Sequence, residues 1–436
     1  MVPWIFLAVS VWGALFTWVA TRPPQRPRWL SPVVFFAGWL TGELAAHHVA
    51  WQAVATIAFV WAGALAAWPG WLGLGITLAS WAGLLASLRT ARGTHEVVER
   101  SLVEVLGPDY ASRVHPEVAQ RHAAPPPPRL QRLNPFRFRD PGVRVVSDIA
   151  YAPEHGRRGL LDVYAPSAGA SRAPVLFQIH GGGWMIGDKR QQAQPLMTHL
   201  ARRGWVCVSA NYRLSPKATF PDQIVDCKRA LRWIRDHVAE YGGDPDFVIA
   251  TGGSAGGHLS SLLALTANDP AFQPGFETAD TRVEGCVPFY GVYDFSNAYG
   301  TQPDDGFLRV LERFIMKRPF ATHRDEYEQA SPMHRIHPGA PPFLVIHGSH
   351  DSLAPVTEAR VFVDLLRKTS RNAVGYVELP AAQHAFEVFH SPRTSHVIQA
   401  VDRFLASLYS EYLGRAGLSA APAGSIDSAR LRGASD

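Results

Sequence analysis

The sequence predicts an α/β fold, a mostly parallel sheet flanked by helices, preceded by an α-helical transmembrane region. Three observations lead to this prediction. Residues 1 to 87 are apolar and carry only four charged side chains, Arg22, Arg26, Arg28 and Glu43. Between residues 143 and 412, short β-branched apolar runs alternate with longer segments of helical period, which is the pattern of a parallel sheet covered by helices. A chain of 436 residues also exceeds one average domain, so two regions are expected.

The first region, residues 1–90, contains four apolar runs close to the length of a membrane span. They are Val2 to Ala20, Pro32 to Ala46, Val49 to Trp68 and Trp71 to Ser87. Crossing about 30 Å of hydrocarbon takes roughly 20 helical residues, so we expect three or four spanning helices in a multi-pass protein of the cell membrane. A cleavable signal peptide is disfavoured because the start, Met-Val-Pro-Trp, has no basic residue and more apolar runs follow.

Arginines on both sides of these runs bear on the orientation of the chain in the membrane. They are Arg22, Arg26 and Arg28 in the first loop, and Arg89, Arg92 and Arg100 after the last run. Basic residues mark cytoplasmic segments, so both groups indicate the cytoplasm. Four spans would place the large domain outside the cytoplasm, whereas two runs joined in one re-entrant or interfacial unit would place it inside. The sequence leaves the side open.

The charge distribution indicates membrane lipids, and not nucleic acid, as a partner. Residues 1–140 hold 12 Arg against 7 Asp and Glu, which accounts for the whole net charge of +5, and no basic cluster lies in the large domain. Glu43, His47 and His48 stand near one helix end. They are expected at the membrane interface, with a proton or lipid-headgroup site as the alternative.

Residues 91–140 connect the two regions. Thr94 is expected to cap a short amphipathic helix, after which Pro125 to Pro128 form a stiff spacer. A basic cluster follows and is expected either against anionic headgroups or in a solvated linker. It consists of Arg129, Arg132, Arg137 and Arg139. Residues 414–436 are rich in Ala, Gly and Ser and are predicted as a disordered tail.

The large domain, residues 141–413, is predicted from its alternating segments. Strands are predicted at 144–149, 160–164, 175–179, 206–210, 247–251, 285–289, 343–346 and 374–378. Helices are predicted at 191–203, 221–241, 255–267, 356–369 and 395–409. In such sheets the reactive groups gather at the carboxyl ends of the strands, so candidate site residues are sought there.

One predicted strand runs directly into a Gly-x-Ser-x-Gly motif. Gly-Gly-Ser-Ala-Gly-Gly occupies 252–257, and apolar helical sequence begins at His258. A nucleophile on a sharp strand-to-helix turn projects its hydroxyl from the backbone, and small neighbours let the chain pass. Ser254 is therefore the predicted nucleophile. A glycine-rich turn whose serine only caps the helix is the alternative.

A glycine loop follows the strand at 175–179. His-Gly-Gly-Gly-Trp occupies 180–184 and leaves main-chain N–H groups bare. Those of Gly182 and Gly183, with the N–H of Ala255, are predicted to form an oxyanion hole. A phosphate or dinucleotide cradle is the alternative, but the spacing is not Gly-x-Gly-x-x-Gly. His180 is expected to hold the loop and to take no part in catalysis.

These motifs, with Asn-Tyr-Arg-Leu-Ser-Pro at 211–216 and Phe-Pro at 220–221, resemble α/β-hydrolase esterases of the hormone-sensitive lipase type over residues 143–412. The resemblance implies the α/β-hydrolase fold and the activity of a serine esterase or lipase. This family usually has Asp before the nucleophile, whereas Gly253 stands here, as it can in carboxylesterase and kynurenine-formamidase-like branches. The branch therefore specifies the substrate only weakly.

The chain order of this fold, nucleophile then acid then histidine, places two partners after Ser254 at later strand ends. Asp351 follows the strand at 343–346, where the family places its acid, and His384 follows the last strand, where the family places its base. Asp294 is the rival acid. The rival bases, by composition only, are His347, His350 and His390.

The predicted chemistry is hydrolysis of an apolar or lipid ester through an acyl-enzyme, with no metal or cofactor. An acyltransferase or amidase with the same triad is the main alternative, and a non-catalytic scaffold of this fold is another. Residues 294–340 form an insertion that is either a lid over an acyl pocket or an ordinary packed helix. Its apolar residues are Phe307, Leu308, Val310, Leu311, Phe314, Ile315 and Met316. Acyl-chain length and oligomeric state do not follow from the sequence.

Overall fold

The computed structural model describes residues 1–24, 27–122 and 134–418. Several sequence predictions fall outside these residues. They concern Arg26, the prolines at 125–128, Arg129, Arg132 and the tail from residue 419 onward.

The apolar N-terminal region is helical. Its main described helices are α1 (Val2–Thr21), α2 (Ser31–Glu43), α3 (Ala45–Trp61) and α4 (Trp68–Arg92). Among the described residues, two stretches are long and apolar enough to cross a membrane, α1 and the stretch Trp68–Leu106 that begins with α4. Helices α2 and α3 meet at an angle of 86° and would supply a third span if the bent pair is counted as one.

Helices α1 and α4 run parallel and pack closely. The rings of Trp4 and Trp68 lie 5.3 Å apart at the starts of the two helices, and the hydroxyls of Thr17 and Ser80 lie 2.7 Å apart further along. Gly83 permits this approach, since a Cβ there would lie 2.8 Å from the methyl carbon of Thr17. Small residues and hydroxyl hydrogen bonds join helices in lipid, where apolar burial gives no driving force.

Helix α3 runs in the opposite direction to α1. Phe59, near its end, contacts Phe6 near the start of α1, with ring centroids 5.3 Å apart. Further back in α3, the amide oxygen of Gln52 accepts a hydrogen bond of 3.1 Å from the indole of Trp81 in α4. The ends of α1 and α4 and the start of α3 therefore lie on one side of this bundle.

Helices α5 (Thr94–Leu106) and α6 (Pro116–His122) lead from the bundle to the large domain. Gly93 takes the N-cap position of α5, so Thr94, predicted as the cap, is instead its first helical residue and is buried. The predicted amphipathic helix buries Val98 and Leu102 in the same core cluster as the helix that ends the domain. Segment α5 is thus packed on the domain.

One eight-stranded sheet organises the large domain. Its strands are β1 (Val143–Ala150), β2 (Leu160–Pro166), β3 (Ala173–Ile179), β4 (Val206–Ala210), β5 (Gly243–Gly253), β6 (Gly285–Phe289), β7 (Phe343–Gly348) and β8 (Val374–Leu379). They lie in the order β1-β2-β4-β3-β5-β6-β7-β8. Strand β2 is antiparallel to β1 and β4, and the others are parallel. The predicted mostly parallel sheet of about eight strands is confirmed.

Helices flank the sheet. They are α7 (Gln194–Arg202), α8 (Asp222–His237), α9 (Ala255–Leu265), α10 (Gly306–Val310), α11 (Arg324–Gln329), α12 (Val356–Thr369) and α13 (Pro392–Ala416). Every residue of β3, β4 and β6 is buried, because helices cover both faces. This is why these strands are continuous apolar runs in the sequence and do not alternate with polar residues.

The insertion at 294–340 packs partly into this core. Leu311, Ile315 and Met316 are buried in it, as an ordinary helix would be. The ring of Phe307 lies 6.4 Å from that of Trp184, the last residue of the glycine loop. The segment therefore reaches the edge of the predicted site, and its role as a lid stays a prediction.

Candidate active site

Ser254 lies on the tight turn between β5 and α9. Its backbone has φ 57° and ψ −120°, a conformation that non-glycine residues rarely adopt. The Ser254 N–H donates to the carbonyl of Phe289 at the end of β6, which ties the turn to the neighbouring strand. At Gly256 a Cβ would lie 2.1 Å from the carbonyl oxygen of Ile179, so only glycine lets the chain pass. The Ser254 side chain is half-buried, and in the described part of the chain its hydroxyl makes no hydrogen bond with His384.

Asp351 and His384 are hydrogen-bonded partners. Nδ1 of His384 lies 2.7 Å from Oδ2 of Asp351, and both side chains are buried. The other carboxylate oxygen, Oδ1, accepts two backbone hydrogen bonds of 2.8 Å, from Leu353 and Ala354. Burial alone would raise the pKa of Asp351, but the charge of His384 and hydrogen bonds from His347 and His384 hold that pKa below its usual range. Asp351 is thus a carboxylate, able to fix the imidazole of His384 with its proton on Nδ1.

Within the described residues, the rival acid Asp294 has no histidine partner. Asp294 accepts hydrogen bonds from Ser296 and from the N–H of Tyr299. His347 is fully buried and its Nε2 lies 3.4 Å from Oδ2 of Asp351 and 3.0 Å from the carbonyl oxygen of Ala354. The sequence suggested His347 only as a rival base. Its contact with Oδ2 of Asp351 instead suits a residue that stabilises the ionised acid.

The glycine loop touches the turn of Ser254. A Cβ on Gly181 would lie 2.5 Å from the carbonyl oxygen of Gly253, and the N–H of Gly181 donates to Gln192. Gly182 and Gly183 have φ of 110° and 59°, which glycine adopts freely. Among the described residues, no backbone or side-chain acceptor binds the N–H groups of these two glycines.

Two further residues bear on the predicted oxyanion hole, Ala255 and His180. Ala255 is the first residue of α9, where the N–H groups have no partner within the helix. Buried His180 stacks on Tyr212 with ring centroids 4.3 Å apart, and its Nδ1 lies 2.7 Å from the carbonyl oxygen of Gly181. Burial lowers the pKa of His180 to about 4, so the residue is neutral and holds the loop.

The sequence reasoning missed Tyr290 and Glu387. The Tyr290 ring lies 4.4 Å from that of His384, and its hydroxyl donates to the buried carboxyl of Glu387. Burial raises the pKa of Glu387 to about 7. A Cβ at position 253 would lie 2.6 Å from the Tyr290 hydroxyl oxygen, so this ring fills the space that an aspartate before Ser254 would need. The signal available in the sequence was the place of Tyr290 directly after β6, at the carboxyl edge of the sheet.

The chain is similar to known esterases. Residues 161–366 match the family described as BD-FAE. The probable carboxylic ester hydrolase LipM of Mycobacterium tuberculosis is 48% identical over 335 residues, which are 75% of this chain and 76% of LipM. Esterase LipQ of the same organism is 41% identical over 384 residues, 87% of this chain and 85% of LipQ.

A solved structure agrees with these relatives. The native form of Est2, a thermophilic esterase from the Planctomycetes species Thermogutta terrifontis, has a TM-score of 0.50 and is 28% identical. It covers 67% of this chain, and the match includes 97% of the Est2 chain. By its fold and its relatives, the chain belongs to the family of hormone-sensitive-lipase-like α/β-hydrolase esterases and is a carboxylic ester hydrolase.

Proposed function

We propose that the chain is a membrane-anchored serine carboxylesterase that works through an acyl-enzyme on Ser254. The observation that carries the proposal is the hydrogen bond between Asp351 and His384 at the carboxyl edge of the sheet. It orients the imidazole so that the free Nε2 can take the proton of Ser254. An apo site often lacks the final serine-to-histidine hydrogen bond, which tightens when substrate binds.

The reaction follows from these groups. The Ser254 hydroxyl attacks the ester carbonyl while its proton moves to Nε2 of His384. The oxyanion that forms accepts hydrogen bonds from the N–H groups of Gly182, Gly183 and Ala255. The ester C–O bond then breaks, and the imidazolium gives its proton to the departing alcohol. Water, deprotonated by the same imidazole, hydrolyses the acyl-enzyme and frees the acid. Asp351 stays ionised and stabilises the imidazolium in both halves.

The N-terminal helices favour three membrane spans and a catalytic domain on the cytoplasmic side. If α1, α3 and α4 cross and α2 lies at the interface, the first loop and the segment after α4 share one side. Arg22 in that loop and Arg89 and Arg92 at the end of α4 then satisfy the positive-inside rule together. Green fluorescent protein fused at the C-terminus is expected to fluoresce, and alkaline phosphatase fused there to be inactive. The reverse result would place the domain outside.

The anchor favours an apolar or lipid ester as substrate. A site tethered to the bilayer meets esters dissolved in the lipid at a high local concentration, and this favours such esters as substrates. The expectation fails if long-chain esters in mixed micelles are untouched while short soluble esters are cleaved.

The test of the nucleophile compares hydrolysis of p-nitrophenyl esters of increasing chain length by the detergent-solubilised wild type and Ser254→Ala. Ser167→Ala, an exposed serine on the loop after β2, is the matched control. Ser254→Ala is expected to lower kcat on the order of a million-fold and to abolish labelling by a fluorophosphonate, while the control changes neither. A folded wild type that is labelled but cleaves no ester would favour an acyltransferase or amidase, to be assayed with alcohol acceptors and amides.

A further inference from the structure

Helix α2 of the N-terminal region lies directly on the loop that carries His384. The indole N–H of Trp39 donates a hydrogen bond of 2.7 Å to the carbonyl of Ala385, the residue after His384. The rings of Phe35 and His384 form a T-shaped pair, with centroids 5.9 Å apart and an interplanar angle of 83°. Helix α2 therefore contacts the ring of the predicted base and the backbone of the residue that follows it.

Glu43, at the end of α2, forms a buried ion pair that fastens both ends of the same loop. Its Oε1 lies 2.8 Å from Nε of Arg393, and both side chains are at most 2% exposed. Its Oε2 accepts a hydrogen bond of 3.0 Å from Ser391, at the end of the loop. Arg393 also donates to the carbonyl of Pro380, at the beginning of the loop. The loop between β8 and α13 is thus clamped at its two ends through one carboxylate.

The start of α2 reaches the loop of the predicted acid. The Ser352 hydroxyl lies 3.4 Å from the carbonyl oxygen of Ser31 and 3.2 Å from the side-chain oxygen of Gln383, and the Ser352 N–H donates to that same Gln383 oxygen. That same oxygen accepts from the N–H of His384. Helix α2 therefore runs from the segment next to Asp351 to the end of the His384 loop.

Burying the ion pair of Glu43 and Arg393 costs the hydration of both charges. A buried ion pair contributes little net stability compared with apolar side chains of the same shape, because both charges lose their hydration. Loss of one partner leaves a buried charge without a counter-charge and is strongly destabilising, so the pair favours the arrangement in which Glu43 meets Arg393.

We propose that α2 is part of the catalytic unit, with Trp39 and Glu43 as positioning residues that hold the His384 loop in register with Asp351. The inference rests on the proposed function of His384 as the base. It makes the N-terminal region necessary for turnover as well as for attachment to the membrane.

The first test uses the full-length protein in detergent with p-nitrophenyl acetate, a soluble ester whose supply does not depend on a membrane. Trp39→Phe removes the N–H donor and keeps an aromatic ring. Trp61→Phe is the matched control, because Trp61 is 94% exposed at the end of α3. A displacement of about 1 Å in a catalytic group costs up to about 100-fold, so Trp39→Phe is expected to lower kcat between about 10- and 100-fold with KM nearly unchanged.

A fluorophosphonate separates positioning from partial unfolding. If Trp39 positions the base, Trp39→Phe reaches the same final fraction of labelled enzyme as wild type but labels more slowly. A lower final fraction with an unchanged rate per labelled site would mean a purely structural role and would overturn the proposal. Equal kcat for Trp39→Phe and Trp61→Phe would also overturn it, while leaving the Ser254 chemistry intact if wild type is active.

Glu43 is tested by comparing a single and a double variant. Glu43→Gln leaves Arg393 buried without a counter-charge and is expected to lower kcat at least about 10-fold. Glu43→Gln combined with Arg393→Gln removes both charges and is expected to recover part of that loss, since amides of similar shape can hydrogen-bond. If single and double variants all label at the wild-type rate, the ion pair does not position the base.

Discussion

Replacing Asp351 by asparagine tests whether this residue sets the tautomer of His384. The two oxygens of the carboxylate have different partners. Oδ1 accepts from the N–H groups of Leu353 and Ala354, and Oδ2 lies 2.7 Å from Nδ1 of His384. In Asp351→Asn one oxygen becomes an NH2 group, and its orientation decides the outcome.

The backbone donors select that orientation. Turning the NH2 group toward Leu353 and Ala354 would leave two buried N–H groups without an acceptor, at roughly 1–3 kcal/mol each. The amide oxygen therefore stays with them, and the NH2 group faces His384. Nδ1 must then accept, which puts the imidazole proton on Nε2, the atom needed to take the proton of Ser254. Such a wrong tautomer lowers kcat about 10,000-fold in serine proteases, and we expect a loss of the same order.

The assay is kcat for p-nitrophenyl butyrate at pH 7.5, with thermal unfolding measured on the same samples. Asp294→Asn is the matched control, because Asp294 is also buried and, among the described residues, its side chain accepts hydrogen bonds only from Ser296 and Tyr299. It is expected to keep activity within about 10-fold of wild type per folded molecule. A loss below about 10-fold in Asp351→Asn, with unchanged unfolding, would refute the reasoning, as would a large loss confined to Asp294→Asn.

Two further predictions follow from Tyr290 and its surroundings. Gly253→Ala would place a Cβ 2.6 Å from the Tyr290 hydroxyl oxygen, so the ring must move against His384; kcat is expected to fall up to about 100-fold, whereas Gly414→Ala, with open space around it, should not change it. The raised pKa of Glu387, about 7 against an ordinary 4.5, gives a stability that is complete below about pH 4.5 and is lost as the pH rises through 7. The loss is on the order of 3 kcal/mol. Relative to wild type, Glu387→Gln should therefore gain in urea midpoint between pH 5 and 8, and a constant difference across that range would contradict the assignment.

The N-terminal helices and the candidate active site pack against each other in this chain. Here Phe35, Trp39 and Glu43 contribute contacts at the loop of His384. If the proposed positioning role is right, removing residues 1–90 to obtain a soluble domain would expose this loop and lower turnover on any ester.

The sheet and the elements that carry the motifs were predictable from the sequence. The predicted strands match β1 to β8 within a few residues at each end, because each is a short β-branched run whose signal is local. Ser254 on its turn and the glycine loop are local as well, since backbone sterics require glycine at positions next in sequence. Asp351 and His384 came from the chain order of the fold, which the resemblance supplied, and they lie 2.7 Å apart.

The surroundings of those residues come from contacts that no local pattern in the sequence predicts. Trp39 and Ala385 are separated by 346 positions, and no period or motif in either segment indicates the other. Glu43 stands with His47 and His48 near a helix end in the sequence, and nothing there indicates Arg393 as its partner. The glycine at 253 was likewise a departure from the family pattern until the ring of Tyr290 explained it. Sequence patterns report the face that a segment buries, whereas the partner on that face is set by the packing of segments far apart in the chain.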